Sequence, residues 1–174
     1  EGVRYILHEE LAPDGYGYSA DIGFTVSKDG VTAQVVMTDR PTKVRIQKTD
    51  ITGEKEIPGA AMQILDLSGT IIESWISTEA PHEITGKLTA GKEYILHEAY
   101  APEGFGYGED IRFLVPRDGK ILQVSMKDRP THVTVRKTDI TGEKEVPGAW
   151  LKITGPDGIV VDQWESEEKP HDIV

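Results

Sequence analysis

Residues 42–56 read TKVRIQKTDITGEKE, and residues 131–145 read THVTVRKTDITGEKE. Each opens on strict alternation. Val44, Ile46 and Lys48 share one side of an extended chain, and Val133, Val135 and Lys137 share the matching side of the second. Period-two alternation that ends in a polar stretch containing glycine marks a half-buried strand running into a loop. The 89-residue offset between these stretches recurs elsewhere. YILHE stands at Tyr5–Glu9 and Tyr94–Glu98, DRPT begins at Asp39 and Asp128, and a Pro-His pair begins at Pro81 and Pro170. An 89-residue unit therefore organises the sequence.

With the unit starting just after DRPT, residues 43–131 are one complete copy. Residues 1–42 match the second half of a unit and residues 132–174 the first half. The two end pieces are complementary except for the counterpart of Gly86–Thr89, a loop-like stretch. Each half alone is expected to leave an open sheet edge and half a core. In the complete copy the expected strands are 43–49, 60–66, 70–77, 92–99, 110–116 and 121–128. Pro58-Gly59, Ser68-Gly69, Ala101-Pro102-Glu103-Gly104 and Asp118-Gly119 punctuate them. No stretch carries a 3.6-residue apolar period. The expected fold is all-β, an immunoglobulin-like antiparallel sandwich in tandem repeats.

Composition narrows the function. The 174 residues carry 19 basic and 30 acidic side chains, a net charge of −11, which disfavours a nucleic-acid partner. There is no cysteine, so disulfides and thiolate metal sites are excluded. No apolar run is long enough to span a bilayer as a helix, so no membrane insertion is expected of this segment. The chain begins at Glu1 rather than Met, as a segment of a longer protein would. No Walker, Rossmann or nucleophile-elbow motif is present. His8-Glu9 and His97-Glu98 are adjacent pairs whose side chains point to opposite strand faces, and no HExxH spacing occurs. No metal and no cofactor is expected. His82 and His171, each after a proline, read as solvated loop residues, Trp75 and Trp164 as packing residues, and Trp150 as exposed.

The apolar stripes carry the chemistry. Val44 and Ile46 run into Lys48, Tyr94 and Leu96 into Glu98, and Val124 and Met126 into Asp128. The second set repeats this: Val133 and Val135 into Lys137, Tyr5 and Leu7 into Glu9, Val35 and Met37 into Asp39. Strand ends emerging into solvent would explain any one of them, and a buried salt-bridge triad would be costly to desolvate. A third reading is chemical. Burial favours a neutral amine and a protonated carboxyl group, which are a nucleophile and an electrophile. A neighbouring Glu is placed to relay the proton. Condensation would yield a neutral amide and one water.

The runs KTDITGEKEIPGA, YILHEAYAPEGFGY and QVSMKDRPT, in that order, resemble the CnaB-type (prealbumin-like) domains of Gram-positive surface adhesins and pilins. The resemblance covers the whole chain, with Phe105 where that family usually has Tyr. It implies an autocatalytic isopeptide bond between a first-strand Lys and a last-strand Asn or Asp, assisted by a Glu. Carried over, Lys48 is the amine donor, Asp128 the acceptor and Glu98 the catalytic carboxylate. In the other set these are Lys137, Asp39 and Glu9. The chain contains no Asn, so the acceptor is Asp and the leaving group water.

The same resemblance makes the first and last strands parallel neighbours, so that tandem units form a rod. The end half of one chain is then expected to complete the starting half of the next, with Lys137 of one copy bonded to Asp39 of another. A folded-back permuted domain and a window of a longer natural fibre are the alternatives. The expected role is a structural stalk or fibre of an extracellular, cell-wall-anchored surface protein, and not an enzyme, since the site would consume itself in one turnover. A ligand- or carbohydrate-binding sandwich and an engineered self-polymerising chain are the rival readings.

Overall fold

The computed structural model describes residues 2–28 and 30–173. They fall into two compact units divided between Arg129 and Pro130. The first unit opens with β1 (Arg4–Leu7) and β2 (Ile22–Thr25), an antiparallel pair. Seven strands follow: β3 (Lys43–Asp50), β4 (Ala61–Leu65), β5 (Ile71–Ile76), β6 (His82–Thr85), β7 (Glu93–Tyr100), β8 (Ile111–Leu114) and β9 (Ile121–Asp128). They form one sheet in the order β6-β3-β9 and another in the order β5-β4-β7-β8. All pairings are antiparallel except β3 with β9, which run parallel from Lys43 beside Ile121 to Asp50 beside Asp128. The core lies between the sheets. Val44, Ile46, Val124 and Met126 come from one, and Met62, Ile64, Leu96 and Phe113 from the other, all buried. This is the expected all-β, immunoglobulin-like, prealbumin-like sandwich.

β6 was not among the expected strands. His82 and His171 are also not solvated loop residues: His82 lies in β6 and His171 in β13 (His171–Ile173), both half-buried. Each imidazole stacks on a tryptophan, His82 on Trp75 at 4.3 Å and His171 on Trp164 at 4.1 Å. An aromatic face from a strand of another sheet supplies burial that a short run after a proline does not announce.

Residues 31–40, expected to continue as a last strand through Val35, Met37 and Asp39, form no strand. A last strand of this kind is held by a first strand, as β9 is by β3, and the described residues before Lys43 contain none. The segment is instead anchored at its end. Pro41 bridges Tyr16, and Thr42 N donates to Gly15 O at 2.8 Å.

The second unit contains β10 (Val133–Val135), β11 (Trp150–Thr154), β12 (Val160–Glu165) and β13. β10 pairs with β13 and β11 with β12, each antiparallel. Residues with buried counterparts in the sandwich are uncovered here and in β1. Val133 is 52% exposed against 0% for Val44, and Tyr5 is 45% exposed against 6% for Tyr94. Trp150 is exposed, as expected.

Candidate functional site

Lys48, Glu98 and Asp128 converge at one end of the sandwich. Alternation along β3, β7 and β9 points each inward after its apolar stripe. Lys48 and Asp128 lie on the neighbouring parallel strands, and Glu98 reaches over from the facing sheet. All three are almost completely buried, at 2%, 3% and 1% exposure. Methionines wall the group, with Met126 beside Lys48 across β3–β9 and Met62 opposite Glu98 across β4–β7.

Lys48 Nζ is in direct contact with Asp128 Oδ1. Glu98 Oε1 lies 2.9 Å from the same nitrogen, at ion-pair distance but not aligned as a hydrogen bond. The Gly108 backbone N–H donates to Glu98 Oε2 at 2.7 Å, which fixes that carboxylate. Asp128 Oδ2 is buried with no hydrogen-bond partner among the described residues. Burial raises the Asp128 carboxyl above the ordinary carboxylate range. The hydrogen bond and charge of Lys48 oppose that rise, and Glu98 adds to it. A carboxyl group whose charged form burial disfavours thus touches an amine and lies beside a second carboxyl group.

Gly108 was not singled out in the sequence, yet it closes the site. A Cβ there would stand 2.7 Å from Met126 Cγ and 2.9 Å from Asp128 Oδ1. The only signal was a glycine ten residues after the Glu, in a run already rich in glycine.

The second set is assembled only in part. Glu9 Oε2 accepts from Ser19 N at 2.7 Å, the counterpart of the Gly108 contact. Ser19 Oγ lies 3.0 Å from Asp39 Oδ1, so one residue holds both carboxylates. Lys137 belongs to the other compact unit, and its side chain is exposed. His97 pairs with Asp110 at 2.7 Å and His8 with Asp21 at 2.6 Å, away from the Glu residues that follow them. Among the described residues no cluster of His, Asp and Glu has metal-binding geometry.

The family described as SpaA, prealbumin-like fold domain, matches residues 42–130. No curated protein sequence matches the chain. Among solved structures, the TIE protein of Bacillus anthracis superposes with a TM-score of 0.53 at 21% identity, over 98% of this chain and 34% of that one. BcpA, the major pilin subunit of Bacillus cereus, gives 0.47 at 20% identity, over 53% and 30%. The shaft pilin SpaA from Lactobacillus rhamnosus GG gives 0.43 at 15%, over 74% and 64%. The chain thus spans about a third of the first of these proteins. At such identities the likeness concerns the fold.

Proposed function

The chain belongs to the SpaA prealbumin-like fold domain family, and from that premise we propose that it is a structural segment of an extracellular pilus or surface fibre, stapled by a Lys48–Asp128 isopeptide bond. The observation that carries this reading is the dry contact of Lys48 with Asp128 beneath Glu98. The Lys48 Nζ lone pair adds to Asp128 Cγ while Glu98 takes the amine proton. Glu98 then returns a proton to the departing oxygen, the C–O bond breaks, and one water leaves. The site is spent after one turnover, so the protein is a self-modifying structural element and not an enzyme.

Residues 132–174 of one copy and 1–42 of the next are proposed to complete a sandwich head to tail. Lys137 would then meet Asp39 and Glu9 from the second copy. The exposed faces of β1 and β10 support this, because each matches a face that its complement covers in residues 43–131.

Intact mass tests both bonds. A chain lighter by one water, returned to full mass by Lys48→Ala or Asp128→Ala and largely by Glu98→Gln, is expected. A full-mass parent chain refutes the staple. A ladder on a boiled denaturing gel, lost in Lys137→Ala, is the result expected of the link between copies.

A further inference from the structure

The loop Ala12–Tyr18, APDGYGY, has a counterpart 89 residues on in Ala101–Tyr107, APEGFGY. The two are built alike. Tyr16 N donates to Pro13 O at 3.0 Å, and Phe105 N to Pro102 O at 3.1 Å. Gly17 N donates to Arg40 O at 2.8 Å, and Gly106 N to Arg129 O at 2.9 Å.

Their surroundings differ. The first loop is seated on residues 86–92 and 115–119. Tyr18 N donates to Arg117 O at 2.6 Å, and the Arg117 guanidinium lies 5.6 Å over the Tyr18 ring. A Cβ on Gly17 would stand 2.6 Å from Gly119 N. In the second loop Tyr107 is 64% exposed, and the nearest atom to a Cβ on Gly106 would be Arg129 O at 3.8 Å. Gly106 has no positive φ, so its backbone conformation does not require glycine. Close approach of another backbone, as at Gly17, does require it.

The receiving face also occurs twice. Gly91 N donates to Val115 O at 2.8 Å, and Arg117 lies against Gly91, with Nε 2.8 Å from where a Cβ would sit. At the 89-residue offset, Gly2 N donates to Val26 O at 3.0 Å, and Lys28 Cε lies 3.4 Å from the same point on Gly2. Around Gly119 that space is occupied by the Arg40 side chain at 3.3 Å, whereas around Gly30 no described atom comes within 4 Å. Tyr107 is therefore exposed where Tyr18 is covered, and among the described residues no side chain fills the space at Gly30 that Arg40 fills at Gly119.

We propose that the Ala101–Tyr107 loop of one copy docks on the face formed by Gly2, Val26, Lys28 and Gly30 of a second copy. Lys28 of the second copy then covers Tyr107 as Arg117 covers Tyr18. The contact rests on the head-to-tail order proposed above, but not on its covalent bond.

A photo-crosslinking benzoylphenylalanine at position 107 of the full chain tests it, with position 100 as control. Tyr100 matches Leu11, which stays 80% exposed beside the seated loop. Peptide mapping is expected to join position 107 to residues 26–30 of another copy, and position 100 to yield no such product. Gly106→Val, which has room within its own fold, is expected to lower the yield by about tenfold or more. Lys28→Glu is expected to lower it about two- to fivefold. Absent crosslinks, crosslinks elsewhere, or an unchanged yield in Gly106→Val overturn the joint. A Lys137-dependent ladder without the mapped crosslink sinks the joint alone. The mapped crosslink without a ladder sinks the covalent link alone.

Discussion

Asp128 is where one side chain decides the state of the whole site. Its carboxyl is raised by burial, so the folded protein holds that proton more tightly than the unfolded chain, whose value stays near 3.8. In an uncondensed chain such as Glu98→Gln, this group's contribution to stability is therefore greatest below that value. It is lost as pH rises through 3.8 towards the raised folded value. In the condensed chain the carboxyl group no longer exists, and that slope vanishes. Urea midpoints against pH for the two chains should diverge on the alkaline side of 3.8, and parallel curves would contradict the assignment. Gly108 tests the same geometry from the other side. Gly108→Ser places a Cβ within 3 Å of Asp128 Oδ1 and of Met126, so the acceptor has to shift. A misplacement of about 1 Å costs roughly a hundredfold in rate, which a mass time course after refolding would show. Ser19 occupies the matching position of the other set, with its Oγ 3.0 Å from Asp39 Oδ1.

At the scale of strands, much of the site was legible because alternation is a local property. Lys48, Glu98 and Asp128 each end an apolar stripe, and a strand's pleat is enough to place all three inward. Which strands are neighbours is not a local property. The parallel pairing of β3 with β9, which puts Lys48 beside Met126 and near Asp128, joins residues about 80 apart. It was available only through the resemblance to a family. β6 escaped notice for a different reason. His82–Thr85 is too short to display a period; His82 is covered by Trp75 from the other sheet, and Ile84 is only 2% exposed. The expected strand at 31–40 failed for the converse reason: its alternation is real, but a ladder needs a neighbour to hydrogen-bond.

For the molecule as a whole, the parallel β3–β9 pair decides how tension is carried. Force applied through Thr42 and Arg129 reaches the first and last strands of the sandwich directly. Without a covalent bond, those strands peel or shear apart and the core opens. With Lys48 bonded to Asp128, the load passes through the amide and bypasses the loop between two residues 80 positions apart. Closing a loop of that size also stabilises the fold by about 4–5 kcal/mol through lost unfolded-state entropy. That is a large share of the roughly 5–15 kcal/mol usual for a domain. Single-molecule stretching separates the two states by length alone. The Glu98→Gln chain should release the bypassed loop in one unfolding event, adding roughly 260–290 Å of contour at about 3.3–3.6 Å per residue. The parent chain should show no such step from residues 43–131 at forces that leave covalent bonds intact. A full-length release in the parent chain would mean that the strands are held by packing and hydrogen bonds alone.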